Sequence, residues 1–163
     1  MLVLGIDPGL ALTGYGLVVS TQEGLCLVDY GVLETAPGVP LCDRLQRLYG
    51  GLGALIAKHR PEAVAVEELF FSRNARTAMI VGQARGVALL AAAEAGLRVF
   101  EYTPLQVKAA VTGYGRATKL QIQSMIKLLL KMNSVPEPDD AADALAVAIC
   151  HAHSFRLSAL LES

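Results

Sequence analysis

Four carboxylates stand in this sequence where structure alone gives little reason to put them. Asp7 ends the apolar run that begins Leu2-Val3-Leu4, inside Gly5-Ile6-Asp7-Pro8-Gly9, and so closes what reads as a buried strand. Glu67 or Glu68 is the second, following another such run, Ala63 to Val66. Asp140 and Asp143 are spaced i, i+3 and share a helix face with Val147. Burying a charge is costly unless it is paired or bound to a metal. Local structure offers other uses for some of them. Asp before Pro and Gly caps its own turn, and Asp139 and Asp140 suit a helix start, where acids cap and offset the dipole. Asp143, mid-helix among Ala and Leu, has no such use. Carboxylates that converge repel and take up protons, and a divalent cation reverses that logic. All-oxygen ligand sets suit Mg²⁺ or Mn²⁺. Two such ions about 3.5–4 Å apart clamp the attacking and leaving oxygens of an in-line phosphoryl displacement. Spacing does not choose between Glu67 and Glu68.

The elements must bring these groups together. Residues 2–7, Tyr15 to Ser20 and Leu25 to Leu33 read as three strands joined by short connections, an antiparallel meander. Leu41, Leu45, Leu48, Leu52, Leu55 and Ile56 recur at helical spacing, and the pattern stops before Pro61. Lys58 and His59 fall in that helix's last turn, where its dipole favours positive charge. A short strand, Ala63 to Val66, precedes a loop and then a helix from Ala75 to Ala95, rich in small residues with Gly82 and Gly86 inside it. Such a helix packs closely on the sheet or on a partner. Leu97 to Tyr102 is a fifth strand, Pro104 opens a short helix to Val111, and Thr118 caps a helix over Lys119 to Lys131. The last helix spans Asp139 to about His153. His151 and His153 read as surface histidines near its end. Convergence of the carboxylates requires strands one and four to be neighbours and the last helix to cross their ends.

Composition sets the frame. The 163 residues suit one domain, with 53% hydrophobic and 18% charged residues, a globular balance. No apolar run reaches the roughly 18 residues of a membrane span, and no signal peptide is evident. Cys26, Cys42 and Cys150 are far apart and outside CxxC spacing, which suits three buried thiols in a reducing, cytoplasmic setting. The net charge of −1 hides a segregation: residues 71–131 carry 9 Lys/Arg against 2 Asp/Glu, an excess of 9 − 2 = +7, between two acidic segments. That block suits a polyanionic substrate or an ordinary solvated surface.

Five stretches then carry a resemblance: GIDPG…TGYG at 5–16, VEELFFSRNARTA at 66–78, GQARGVAL at 82–89, YTPLQVK at 102–108 and DAADALAVA at 140–148. Together they closely resemble the RuvC family of bacterial Holliday-junction resolvases over residues 2 to 153. The resemblance implies an α/β, RNase H-like fold: a five-stranded mixed sheet flanked by helices, with a nuclease domain over 1–155 and a short tail over 156–163. It implies a homodimer that nicks four-way junction DNA symmetrically, leaving 5′-phosphate and 3′-hydroxyl ends, with two Mg²⁺ per subunit for which Mn²⁺ substitutes. It implies work beside the RuvA–RuvB branch-migration complex. By the same resemblance Asp7, Glu67 (rather than Glu68), Asp140 and Asp143 are metal ligands, and Phe70 stacks on bases near the crossover. Lys108 and Lys119 lie near the scissile phosphate, Lys119 being the better candidate for stabilising its charge. Arg73, Asn74, Arg76 and Arg116 are candidates for DNA-backbone contacts. Rival readings are an actin-like nucleotide module, for which the chain has length for only one of two subdomains, a nuclease of RNA or plain duplex, and a non-catalytic junction binder.

Overall fold

Successive residues of a strand face opposite sides of a sheet, and in the first strand this puts chemistry on one side and plain core on the other. In the computed structural model, which describes residues 1–68 and 74–161, β1 (Leu2–Asp7) pairs antiparallel with β2 (Leu12–Thr21) and parallel with β4 (Ala63–Glu67). With β3 (Gly24–Glu34) and β5 (Arg98–Tyr102) they form a five-stranded mixed sheet in the order β3-β2-β1-β4-β5. The meander and the adjacency of the first and fourth strands are as expected.

The helices α1 (Leu41–His59) and α2 (Ala75–Glu94) cover one face. There Leu4, Ile6, Leu17, Val64 and Val66 meet Leu48, Leu52, Ala84 and Ala88 in one core cluster. The other face carries α3 (Pro104–Thr112), α4 (Lys119–Leu129) and α5 (Asp139–Leu161). Val3, Val18 and Ala65 meet Val107, Ile126, Leu145 and Ile149 in a second cluster. Thr103 with Gln106, and Thr118 with Gln121, form capping boxes that start α3 and α4. Among the described residues no helix is long and apolar enough to cross a membrane.

The position of α5 is set by glycines. A Cβ on Gly5 would stand 2.0 Å from the carbonyl oxygen of Ala144, one on Gly14 1.9 Å from that of Asp140, and one on Gly16 2.7 Å from the Leu145 side chain. The helix backbone therefore lies directly on β1 and β2. From Ala144 to Cys150 every residue of α5 is buried, so this stretch of the helix is apolar on all sides.

Several local expectations are corrected. α5 does not stop near His153 but runs to Leu161; the Ser154 hydroxyl donates to the Cys150 carbonyl (2.9 Å) and so stays within the helix. His151 is only 2% exposed. Because α5 continues across the sheet, this residue packs on Phe100 with ring centroids 4.2 Å apart, and its Nδ1 lies 2.7 Å from the Tyr102 hydroxyl. His153 is half-buried, with Nδ1 3.0 Å from the Ala110 carbonyl oxygen. His59 serves more than the helix dipole: its Nε2 lies 3.1 Å from Asp29 on β3. Cys150 is buried, but Cys26 and Cys42 are exposed, the first on an outward position of the edge strand β3 and the second in the first turn of α1. In α2 the alanines make the close contacts, whereas a Cβ on Gly82 or Gly86 would meet nothing in this chain.

One substitution type therefore has opposite signs at two sites. Gly5→Ala forces a methyl into the α5 backbone and is expected to cost about 3 kcal/mol. Gly53→Ala, inside α1 with open space around it, is expected to gain about 0.5–1 kcal/mol. Urea denaturation midpoints of the two variants test both signs.

Candidate active site

Asp7 and Glu67 are brought together by sheet register. The last paired step between β1 and β4 is Ile6 with Val66, so the two acids follow side by side on strands about 4.8 Å apart. Asp7 alternates with Gly5 and Val3, and Glu67 with Ala65, so both point to the face that α5 covers. Across the antiparallel pair Asp7 is opposite Gly14. The carbonyl of Asp140 occupies the space a Gly14 side chain would need. The first turns of α5 therefore lie over the ends of β1 and β4, with Asp143 one turn beyond Asp140. The turn after β1 is held by Thr13, whose hydroxyl donates to the Gly9 carbonyl (2.6 Å) and accepts from the Gly9 amide (3.3 Å). Asp7 is thus left to face the site.

The electrostatics record this crowding. Burial, then the charges of Asp143, Asp140 and Glu67, push the Asp7 carboxyl up to about 7, against the pull of Lys119. Burial and then Asp143 raise Glu67, while Lys108 opposes. Burial also raises Asp143, with Lys119 opposing. Lys119 Nζ lies 3.0 Å from Asp139 Oδ2 and 3.4 Å from Asp143 Oδ2. Burial draws its ammonium down, but these two acids outweigh that and hold it above the usual lysine range. Asp139 lies in the first turn of α5, where its charge offsets the dipole as expected; it also accepts from Lys119 and from Gln123 (2.9 Å), and Lys119 holds its carboxyl below the usual range.

Glu67 separates two clefts. One of about 320 Å³ is bordered by Glu67, Asp143, Lys108 and Lys119, with Pro104 at its wall. The other, about 250 Å³, is bordered by Asp7, Glu67, Glu68 and Arg85. Glu68 is exposed and Glu67 half-buried, so geometry separates two residues that spacing could not. Among the described residues no three acidic, histidine or cysteine side chains close into a ready-made metal cage. Their chemistry nevertheless fits a hard divalent cation: the donors are all oxygen, and burial, followed by the charge of its neighbours, pushes one of them up to about 7. Such an ion draws together carboxylates that otherwise repel.

The remaining candidates are dispersed. Arg116 is exposed in the turn before α4, and Arg76 is exposed in the first turn of α2. Asn74 caps α2, its Oδ1 accepting from the amides of Arg76 (3.0 Å) and Thr77 (3.3 Å). Phe70 and Arg73 lie outside the described residues. The basic block is not one DNA-facing surface. Arg98 lies over the Phe100 ring, 5.1 Å from its centroid, and Arg85 turns inward. Two positions that shape this end of the sheet escaped the sequence reading: Gly14, which admits Asp140, and Arg85, whose partners lie far away in the sequence.

The raised Asp7 has a measurable consequence. Its folded-state value lies above the unfolded one, so the folded chain holds a proton that the unfolded chain has released. Without metal, stability is expected to fall by an amount on the order of a few kcal/mol as pH rises from about 4 to about 7. His151, lowered by burial, works the other way up to its ordinary 6.5. Comparison with Asp7→Asn therefore isolates the carboxylate: in chelator, the wild-type minus variant stability is expected to decline with pH across that window, and denaturant titrations at pH 5 and 8 check it.

With the geometry in hand, known proteins can be set beside it. The family model for the crossover junction endodeoxyribonuclease RuvC matches residues 3–151. The RuvC endonuclease of Pelotomaculum thermopropionicum is 61% identical over 155 residues, 95% of this chain and 94% of the relative. That of Desulfitobacterium hafniense is 59% identical over 157 residues, 96% and 95% of the two chains. Thermus thermophilus RuvC in complex with a Holliday junction substrate superposes with a TM-score of 0.92 at 41% identity, over 97% of this chain and 96% of that one. The yeast mitochondrial resolvase Ydc2, 14% identical with a TM-score of 0.63 over 93% and 78% of the two chains, shares the fold. The family match over residues 3–151 and the similarity to relatives over nearly the whole length agree: this chain belongs to the RuvC family of crossover junction endodeoxyribonucleases.

Proposed function

We propose that this chain resolves four-way DNA junctions as a homodimer, each subunit hydrolysing one phosphodiester so that paired, symmetric nicks result. The observation that carries the reading is the convergence of Asp7, Glu67 and Asp143, with Asp140 on the same first turns of α5, at two adjoining clefts that share Glu67, one of which is bordered by Lys108 and Lys119. Asp7, Glu67, Asp140 and Asp143 would hold two divalent cations, Mg²⁺ by preference and Mn²⁺ in substitution, which would supply activation of a water and neutralisation of charge on the departing oxygen. Asp7, beside Glu67 on the sheet and close to Asp140 and Asp143 on α5, would be the central ligand of that set. Lys119, released from Asp143 when the cleft is loaded, turns its ammonium to the phosphate, and Lys108 holds the adjoining backbone. Water adds to phosphorus and the bond to the 3′ oxygen breaks. That oxygen takes up a proton, and the ends are a 5′-phosphate and a 3′-hydroxyl. Phe70, three residues after Glu67 in the sequence, stacks on bases at the crossover, and Arg73, Asn74, Arg76 and Arg116 contact the DNA backbone.

Pairing of the nicks needs two active sites at fixed separation. Helix α2 supports the dimer: Met79, Gly82, Gly86 and Leu90 fall on one stripe, and Met79 and Leu90 are 66% and 52% exposed. We place the enzyme in the cytoplasm, acting on junctions handled by the RuvA–RuvB complex.

Cleavage of an end-labelled junction is compared with a linear duplex of the same sequence, with Mg²⁺, Mn²⁺ or chelator. Junction-selective, metal-dependent paired nicks are expected, and equal cutting of the linear duplex overturns the substrate assignment. Asp7→Asn is expected to lose on the order of 10³-fold in rate while still binding junctions, and Lys119→Met on the order of 10²-fold. Replacing Met79 and Leu90 together by Glu is expected to yield a monomer in sedimentation velocity and single, uncoupled nicks.

A further inference from the structure

We infer that Arg85 is a positioning residue for cleavage: it locks the peptide plane that follows Glu67 and so fixes the direction in which the Glu67 carboxylate enters the site. The inference rests on the nuclease reading above. Arg85 sits in the middle of α2, on the far side of β4 from α5, and its side chain is only 11% exposed. A cation buried to that degree has to be paired. Its Nη1 donates to the Glu67 backbone carbonyl at 2.6 Å, and its Nη2 donates to Glu101 Oε2 on β5, also at 2.6 Å. Both ends of the fork are occupied within the chain, so this guanidinium is not a phosphate contact.

The place of that carbonyl gives the contact its meaning. The oxygen of Glu67 and the N–H of Glu68 belong to one rigid peptide plane. The N–H donates to the Tyr102 carbonyl at 2.8 Å. One edge of the plane is thus held by β5 and the opposite edge by Arg85. A plane gripped on both edges leaves the Glu67 backbone little freedom to turn, and the bond to its side chain is aimed accordingly. The grip is needed here because β4 ends at Glu67 and because the side chain is forced into a buried space against the negative charge of Asp143. An ungripped strand end would relieve that repulsion by swinging outward. Lysine cannot replace arginine, since a single ammonium does not span two acceptors in the planar fork geometry.

The test uses the full chain with Arg85→Lys, Arg85→Gln and Glu101→Gln, and three readouts. These are Mn²⁺ binding by calorimetry without DNA, junction binding in chelator, and single-turnover cleavage at saturating enzyme. Both Arg85 variants are expected to bind Mn²⁺ on the order of 10-fold more weakly and to cleave on the order of 10²-fold more slowly. Junction affinity stays within about 2-fold, because DNA contacts are untouched. Glu101→Gln is expected to fall less than Arg85→Gln, since its amide oxygen still accepts from Arg85. Wild-type Mn²⁺ affinity and rate in Arg85→Lys overturn the inference. So does a loss of junction binding in step with cleavage, which marks a general structural role; should Arg85→Gln fail to fold, Arg85→Lys decides alone. If the wild-type chain leaves junctions uncut while Arg85→Gln still weakens Mn²⁺ binding, the nuclease reading fails and the positioning role stands.

Discussion

The arrangement at the active end of the sheet depends on how closely α5 can lie on β1 and β2. Three glycines, Gly5, Gly14 and Gly16, remove the side chains that would otherwise stand between helix and strands. The alanines of α5, Ala141, Ala144 and Ala148, do the same from the other side. A helix resting on ordinary side chains would sit farther from the sheet, and Asp140 and Asp143 would end above Asp7 rather than beside it. The contact is backbone on backbone, so side chains cannot relax to absorb a change. It serves packing and chemistry together: the same helix that completes the second core cluster carries half of the carboxylates.

Those carboxylates are held at a cost. Asp7, Glu67 and Asp143 are all raised, each chiefly by burial and then by its neighbours. Lys119 offsets part of this through Asp143 and Asp139, yet Asp7 remains near 7. A set of acids arranged for its own stability would spread out or bind its cations fully. This one keeps unspent negative charge in a cleft, which is what a divalent cation requires. The first helical turns of α5 also face the cluster, and the dipole at that end favours negative charge.

The burden of holding the site is divided between the two layers. From one side α5 delivers Asp140 and Asp143. From the other, α2 reaches through to the end of β4 with Arg85 and to β5 at Glu101. The sheet is therefore gripped from both faces at the edge where Asp7 and Glu67 lie.

Periodicity and motif spacing in the sequence determined much of this protein. The leucine repeat of α1, the capping residue Thr118, the meander and the strand-end and helix-face positions of Asp7, Asp140 and Asp143 were legible, because they depend on neighbours within a few residues. The long motifs carried the family. What remained was decided by contacts between distant segments. Glu67 could not be told from Glu68 by spacing, because alternation puts one on each face and only the seat of α5 says which face holds the site. His151 read as a surface residue until α5 was seen to continue over Phe100 and Tyr102. Cys26 and Cys42 read as buried because thiols usually are, and an edge strand and an outer helix face exposed them. Arg85 carried no local signal of its role, because its two partners lie 18 and 16 residues away and meet it only once β4 and β5 are paired.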